Sequence, residues 1–285
     1  MVQTGQLTQD NVTDFSNKIN YWDFAYSYIY NINVFFSKID AAPVDATFKA
    51  GAMAEMRFLR AYIYANLIWR YSGVPIITKV FGLHDDFKVT RSSYDDCVKF
   101  IDSELDAAAA HLPANQPSSQ EGRASANACL ALKARVLLYD ASLQNNPSHD
   151  NAKWQAAADA SAALLNLGYS LNADYQGTFL RDNDEIIFAR YFTQANSTNF
   201  SLEEGRNGSN GWTSQNPSQN QVDAYEMAAT GKLPYIEQPD GSLVLNPGSG
   251  YDPSNPYAGR DPRFDASILH DGSLWQGRIT ETFDG

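Results

Sequence analysis

The sequence predicts a mostly helical protein in which an N-terminal series of paired helices precedes a region of long loops and short strands. Apolar residues recur at spacings of three and four through most of residues 10–167, which is the pattern of amphipathic helices. From residue 231 onward, many glycines and prolines exclude long regular elements. We therefore expect a helical scaffold over residues 1–170 and a loop-rich region over residues 171–285, together forming a single structural unit.

Composition and charge limit the classes of function. Of the 285 residues, 44% are hydrophobic and 19% are charged, so a folded globular protein is expected. The net charge of −12 argues against nucleic acid or an anionic bilayer as a partner. No run of about 20 apolar residues is present, so no transmembrane helix is predicted.

The first two helical segments are predicted over residues 10–40 and 46–71. The second has an apolar face too wide for a surface helix, so we expect it to lie between layers of other helices. That face consists of two adjoining stripes, namely Phe58, Tyr62, Ala65 and Trp69, and Leu59, Ile63 and Leu67. Gly73 stands where a left-handed C-terminal cap is expected, and Pro75 prevents continuation of the helix.

Three further helices follow. Ser93 and Asp96 have the spacing of a capping box, and Pro113 ends the helix that they begin. Its predicted apolar face is Val98, Ile101, Leu105, Ala108 and Leu112. The next two are predicted over residues 123–145 and 151–167. The first of these is expected to bury Leu130, Ala134, Leu137, Leu138 and Ala141. Short polar turns between helices favour antiparallel pairs, and the last pair is slightly longer than a tetratricopeptide (TPR) unit and lacks its consensus marks, so we describe it as TPR-like.

The character of the chain changes after Gly168. Residues 183–190 are predicted to be a short strand or an extended core segment, and residues 219–229 a short helix. Between them, residues 194–220 are dense in Asn, Gln, Ser and Gly around a single Trp212. Long loops in a compact domain usually carry function or belong to a larger scaffold.

No pattern typical of a catalytic, cofactor or metal site emerges. Acidic clusters fall at helix starts or in polar stretches, and no nucleophile elbow, phosphate loop or dinucleotide fingerprint is present. Residues 182–185 have a calcium-like composition but lack the spacing and glycine of an EF-hand. Cys97 and Cys129 are interpreted as buried thiols, with a disulfide between two helices as the minor alternative. We therefore expect no enzyme activity, cofactor or metal.

Aromatic residues in the loops are the candidate binding residues. An exposed Trp or Tyr ring matches the apolar face of a sugar, and amide, carboxylate and guanidinium groups match its hydroxyls. Trp212 lies among Asn207, Asn210, Ser214, Gln215 and Asn216. Tyr251, Tyr257 and Trp275 lie in Gly- and Pro-rich segments, the first two close to Asn255, Arg260 and Asp261. For each ring taken singly, packing of the loop onto the helices is the alternative interpretation.

Five stretches, in order, resemble the SusD/RagB family of outer-membrane nutrient-binding lipoproteins of Bacteroidetes. The first is the Arg- and aromatic-rich helix of residues 54–75 that ends in Gly-Val-Pro. The other stretches are residues 91–113, residues 122–139, residues 185–188 with 222–226, and residues 255–264. Because members of the family are usually longer, this chain resembles one without its lipidated N-terminus and without a C-terminal portion. Residues 1–5 include no Cys for a lipid anchor and have neither the basic start nor the apolar core of a secretion signal, so we expect that both are missing from this sequence.

The resemblance implies a right-handed superhelix of TPR-like helix pairs whose loops and short strands form the ligand surface. It implies a non-catalytic glycan-binding subunit, exposed at the outer membrane, that covers a SusC-like TonB-dependent transporter during uptake of oligo- or polysaccharides. Two alternatives stay open: a TPR-like peptide- or protein-binding scaffold, and a SusD-like binder of peptides. A polysaccharide-cleaving enzyme is a third hypothesis, for which the sequence offers no convincing carboxylate pair.

Overall fold

The computed structural model describes residues 21–206, 208, 211–213 and 216–281. The long helices are α1 (Trp22–Lys38), α2 (Ala46–Tyr71), α3 (Tyr94–Ala109), α4 (Ala126–Ala141) and α5 (Asn151–Ala162). The later elements are α6 (Gly177–Leu180), α7 (Phe200–Glu204), α8 (Gln219–Asp223), β1 (Tyr235–Glu237), β2 (Leu243–Leu245), α9 (Pro262–Ser267), β3 (Leu274–Trp275) and β4 (Arg278–Ile279). The fold is thus mostly helical with TPR-like helix packing, as predicted. No helix in the described part of the chain combines the length and the apolar character needed to cross a membrane.

Contacts divide the chain into two compact units. Of the described residues, unit 1 contains those from 21 to 169 and the segment 186–191, and unit 2 contains residues 170–185 and those from 192 to 281. In unit 1, α2 packs against α1 and α3, α3 against α4, and α4 against α5. The prediction that α2 lies between other helices is confirmed. The start of the first predicted helix, with Phe15 and Ile19, lies outside the described residues.

The buried face of α2 is rotated from the predicted one. Its core residues are Ala54, Phe58, Ala61, Tyr64, Ala65, Leu67 and Ile68. Leu59 and Tyr62, predicted to be part of the apolar face, are 39% and 43% exposed. Because α2 contacts both α1 and α3, its buried residues do not form a single stripe. Sequence spacing alone therefore predicted part of the buried face incorrectly.

The end of α2 differs in detail from the prediction. The left-handed backbone belongs to Ser72, with φ 60°, and not to Gly73. Gly73 is required for another reason, since a Cβ there would lie 2.1 Å from the backbone oxygen of Ser92. The backbone of the helix exit therefore lies directly against the segment that leads into α3, where Ser92 N donates to Val74 O at 3.2 Å.

A charged cluster lies inside the helical core. Glu104 on α3 accepts hydrogen bonds from Arg57 and Arg60 on α2 at 2.5 and 2.7 Å. Arg60 also donates to Asn33 of α1 at 3.0 Å, and Asn33 donates to the carbonyl of Ile77 at 3.0 Å. Because Arg60, Glu104 and Asn33 are nearly fully buried, each charge or amide is compensated within the protein.

The remaining helices of unit 1 follow the sequence closely at their starts. The Ser93 hydroxyl accepts from Asp96 N at 3.0 Å, which confirms the cap, and Val98, Ile101, Leu105 and Ala108 are buried. Both cysteines are free and buried, as predicted. The last two helices are shorter than predicted, ending at Ala141 and Ala162, and Leu138 of the predicted α4 core is 47% exposed.

Unit 2 is built from turns, short helices and two antiparallel hairpins. One hairpin pairs Tyr235 with Leu245, and the other pairs Leu274 with Ile279. The short helix predicted over residues 219–229 is present as α8 but ends at Asp223, and residues 183–190 form no strand. Part of this latter segment belongs to unit 1, where the ring of Phe188 packs edge-on against Phe58 with centroids 5.1 Å apart.

Candidate functional site

The best candidate site in unit 2 is a groove between α9 and the β3–β4 hairpin, which we call the hairpin groove. Its volume is about 360 Å³, within the range of small-ligand pockets. The polar and aromatic lining residues are Gln176, Asp265, Ser267, His270, Ser273 and Trp275. Ile268, Leu269 and Leu274 add apolar surface.

The hairpin orients Trp275. Gln276 and Gly277 both have positive φ, 49° and 79°, which is the geometry of a tight two-residue turn matching the twist of the strands. Trp275 pairs with Arg278 across this turn, and its side chain is 37% exposed. The ring is therefore fixed at its backbone but accessible at the surface.

The opposite wall is the short helix α9. Asp261 caps its first turn by accepting from Arg263 N at 2.8 Å, and Pro262 occupies the first helical position, where a missing N–H costs nothing. The Arg263 guanidinium also donates to Asp261, which lowers the pKa of that carboxyl to about 2. The capped helix presents Asp265 to the groove, with its carboxylate 79% exposed.

His270 connects the groove to the packed part of unit 2. Its Nδ1 bonds to the carbonyl oxygen of Asp271 at 2.7 Å, and its Nε2 lies 3.5 Å from Asp265 Oδ1. The imidazole ring stacks on Tyr257 with centroids 4.1 Å apart, and on Phe264 at 5.5 Å. The imidazole is thus held in place on one face while it lines the groove.

Trp212 is the most exposed of the four predicted aromatic residues, at 64%. Its backbone N–H donates to Leu202 O at 2.9 Å, and Gly211 before it packs so closely on Gly205 that a Cβ would lie 2.0 Å from Gly205 backbone atoms. Arg206 of the same loop donates to Thr280 at 3.4 Å. This contact ties the Trp212 loop to the hairpin that carries Trp275. The predicted polar neighbours Asn207, Asn210, Ser214 and Gln215 lie outside the described residues, and Asn216 is exposed.

The two predicted tyrosines have packing roles. Tyr257 stacks on His270 at 4.1 Å and on Phe264 at 6.2 Å, and Tyr251 packs edge-on against Tyr235 with centroids 5.4 Å apart. Arg260, noted in the sequence as a polar neighbour of both, is buried and donates to the carbonyls of Pro256, Val222 and Tyr225 at 2.7–3.0 Å. The guanidinium therefore supports the loops.

The groove combines one accessible indole face with an amide, a carboxylate, an imidazole and two hydroxyls. Such a set can stack on the C–H face of a sugar ring while it exchanges hydrogen bonds with the hydroxyl rim. Sequence reasoning found Trp275 but missed Gln176, Asp265 and His270. No sequence motif marks these three residues. Gln176, in particular, is separated from the hairpin by almost 100 residues of chain.

Acid–base and metal chemistry find little support in the described residues. Asp102, the carboxylate whose pKa burial raises to about 6, lies in unit 1, where Lys133 Nζ is 3.9 Å from its oxygen. Over the described ranges, no three His, Cys, Asp or Glu side chains are grouped to hold a metal ion.

Comparison with known proteins identifies the family. A family model described as "Starch-binding associating with outer membrane" matches residues 2–138, and the model of the SusD family matches residues 184–284. The chain belongs to the SusD/RagB family. The two matched segments together include α1 to α3 and most of α4, and the Trp212 loop, α9 and the hairpin groove with the exception of Gln176.

Solved structures of the family resemble this fold. A SusD-like protein from Bacteroides fragilis superposes with a TM-score of 0.71 at 31% identity, covering 88% of this chain and 49% of its own. A SusD-like carbohydrate binding protein from the same species gives 0.73 at 28% identity, covering 91% of this chain and 48% of its own. A curated relative, SusD-like protein P25 of Formosa agariphila, is 26% identical over 195 residues, which is 67% of this chain and 34% of that protein. The chain thus spans between a third and a half of the length of these relatives.

Proposed function

We propose that this SusD/RagB chain binds oligo- or polysaccharides at the outer membrane without cleaving them. The observation that carries the proposal is the hairpin groove, where the accessible ring of Trp275 lies beside the polar groups of Gln176, Asp265 and His270. Its similarity to a protein described as carbohydrate binding supports the same class of ligand. In this proposal residues 1–170 are the scaffold and residues 171–285 carry the ligand surface, as the sequence predicts.

The groove favours binding over hydrolysis. A glycosidase requires two carboxylates on opposite sides of the scissile bond, one of them protonated at working pH. Among the lining residues of the groove, all of which the structure describes, Asp265 is the single carboxylate. Asp265 is also largely exposed to solvent.

Trp275 and Trp212 are the proposed sugar platforms, with Tyr251 and Tyr257 supporting them from within the packed loops. Affinity electrophoresis against soluble starch, laminarin and xylan tests this assignment, with a parallel assay for new reducing ends. Trp275→Ala and Trp212→Ala should each weaken retardation by about fivefold, since one aromatic contact contributes on the order of 1 kcal/mol. Tyr30→Ala is the matched control, because Tyr30 is 53% exposed on α1 and lies outside the groove.

Each outcome has a defined meaning. Retardation without new reducing ends, weakened by the tryptophan variants and unchanged by the control, supports the proposal. New reducing ends would show an enzyme instead. Retardation that neither tryptophan substitution changes would contradict the site, and retention by peptides alone would favour the peptide-binding alternative.

The proposed partner is a SusC-like TonB-dependent transporter, which the chain would cover from outside the cell. The family description of association with the outer membrane supports this location. Co-expression of the chain with the transporter, followed by detergent extraction and affinity purification, tests it. The two proteins should elute together, and elution of the transporter alone would contradict the partnership.

A further inference from the structure

A second cavity lies within unit 1, where the ends of three helices meet. It is bounded by the last turn of α2, the segment that leads into α3, and the end of α4 with the following turn. We call it the helix-end pocket. Its volume is about 700 Å³, nearly twice that of the hairpin groove. Its lining residues are Ile68, Trp69, Arg70, Tyr71, Ser72, Arg91, Tyr94, Tyr139, Ser142, Gln144 and Asn145.

The walls of this pocket are held firmly. Ser72 has a positive φ, and the next residue, Gly73, packs against the backbone of Ser92. The backbone conformation at the end of α2 is therefore restricted. The turn after α4 is closed by the Ser142 hydroxyl and the Asn145 amide, which both donate to the carbonyl of Tyr139 at 2.6 and 2.9 Å. The pocket is therefore pre-formed, as small-molecule sites usually are.

Aromatic rings supply a flat surface. Trp69 and Tyr139 pack edge to face with centroids 5.2 Å apart, and Tyr139 is 45% exposed. Gln144, also exposed, has no hydrogen-bond partner among the residues that the structure describes. A ring-shaped polar ligand can thus meet an aromatic face and an amide in one place.

The charge of the pocket distinguishes it from the rest of the protein. Its lining contains Arg70 and Arg91 and no carboxylate, although the chain carries a net charge of −12. Arg91 is fixed by donating to the carbonyls of Tyr71 and Gly73, the latter at 2.7 Å. Two carboxylates approach the lining: the pocket residue Tyr94 is in electrostatic contact with Asp95 and Asp140.

Both of these carboxylates are paired with the same cation. Lys153 Nζ lies 2.8 Å from Asp95 and 2.8 Å from Asp140, and it also donates to the carbonyl of the lining residue Asn145 at 3.3 Å. Three cations therefore face two carboxylates around the pocket, so an anionic group is attracted. The hairpin groove, with its Asp265, has no arginine in its lining.

We propose that the helix-end pocket is a second saccharide site that binds a carboxylate-bearing sugar, a uronic acid residue. The inference that the ligand is a sugar rests on the proposed function, whereas its negative charge rests on the lining itself. The carboxylate meets the guanidinium of Arg91, the sugar ring packs on Tyr139, and Gln144 bonds a hydroxyl at the mouth.

Isothermal titration calorimetry of the full chain with trigalacturonate, and with maltotriose as the neutral probe, tests this site. Trigalacturonate should bind at low ionic strength and weaken as salt is added. Gln144→Glu places a negative charge at the mouth without disturbing packing, and should weaken trigalacturonate binding at least tenfold. Asn31→Asp is the matched control, because it makes the same charge change at an exposed position of α1 outside the pocket and should alter affinity less than twofold.

Two further variants assign the site. Arg91→Gln should abolish trigalacturonate binding, with its circular dichroism checked for folding, and Trp275→Ala should leave that binding unchanged. Loss of trigalacturonate binding in Trp275→Ala would place the ligand in the hairpin groove and overturn the proposal. Equal weakening of maltotriose binding by Gln144→Glu, no binding of trigalacturonate, or trigalacturonate binding that Gln144→Glu leaves unchanged would overturn it as well. The proposed function is tested separately, by retention of neutral glycans through Trp212 and Trp275.

Discussion

Unit 1 and unit 2 each bury an arginine, but the partners of the two arginines differ. In unit 1, Arg60 faces the carboxylate of Glu104 and the amide of Asn33. In unit 2, Arg260 faces three backbone carbonyls. Residues inside helices satisfy their own backbone groups, so an arginine buried between helices pairs mainly with side chains. Loops leave carbonyls without partners, and one guanidinium with five donors gathers several of them at once.

The same contrast explains where binding surfaces arise. Unit 1 buries Phe58, Tyr64 and Ile101 almost completely, whereas unit 2 leaves Trp212 and Leu274 largely exposed. A chain segment held by a few long-range polar contacts can present side chains to solvent, and a segment held by a packed apolar face has to bury them. The following predictions test this distinction.

The largest expected effect is on the charged cluster of unit 1. Glu104→Ala leaves Arg60 buried without its carboxylate, so the free energy of unfolding should fall by about 3–5 kcal/mol. Denaturant unfolding monitored by circular dichroism measures this. Glu55→Ala is the control, because its partner Arg123 is half exposed and the loss should stay below about 1 kcal/mol. Equal losses of unfolding free energy in the two variants would show that the buried cluster stabilises the protein no more than an exposed ion pair does.

The corresponding change in unit 2 is Arg260→Leu, which removes the guanidinium donors to the three carbonyls. The expected cost is about 3 kcal/mol, because three hydrogen bonds from a charged donor to partly buried carbonyls are lost. Limited proteolysis with mass spectrometry should detect new cleavage in residues 219–268 while residues 94–141 stay protected. Arg263→Leu, which loses only an exposed pair with Asp261, should behave like the parent chain. Cleavage spread evenly over both units would contradict the expectation that Arg260 stabilises the loops of unit 2.

Features of the fold that depend on local spacing could be predicted from the sequence, and features that depend on distant neighbours could not. The caps at Ser93 and Ser125 and the core face with Ile101 depend on local spacing, and the sequence located the first cap and that face correctly. The exposure of Tyr62 and the left-handed backbone at Ser72 depend on neighbours distant in sequence. Spacing within one helix therefore could not show them.

The candidate site was predictable only in part, for the same reason. Trp212 and Trp275 were found because an aromatic residue in a polar loop is visible in sequence. Gln176 and His270 are brought to the groove by tertiary contacts of loops, which leave no periodic pattern. The packing role of Tyr257 depends on His270 and was equally invisible.

A buried carboxylate in unit 1 gives a test of pH dependence. Burial raises the pKa of Asp102 from 3.8 to about 6, and Lys133 at 3.9 Å lowers it only partly. Above pH 6 the folded protein holds an unfavourable charge. As the pH falls from about 6 to 4, the folded state takes up a proton that the unfolded state does not, so this penalty disappears.

Asp102→Asn should therefore stabilise the protein by about 1 kcal/mol at pH 8 and by progressively less toward pH 4. Denaturant unfolding at both pH values measures the difference. Asp106→Asn, which also contacts Lys133 but is 64% exposed, provides the control and should show no gain at pH 8. A gain for Asp102→Asn that is the same at both pH values would mean that packing and not charge is responsible.

The smallest expected effect on stability is that of replacing the exposed Trp212 of unit 2. Trp212 is 64% exposed, and its loop is held by backbone hydrogen bonds among residues 202, 205, 212 and 213 and by the side chain of Arg206. Trp212→Ala should therefore change the free energy of unfolding by less than about 0.5 kcal/mol while it weakens glycan retention. Thermal unfolding and affinity electrophoresis of the same preparation measure both quantities. A loss of more than about 1 kcal/mol would mean that the ring packs against unit 2, and Trp212 would then join Tyr257 as a packing residue.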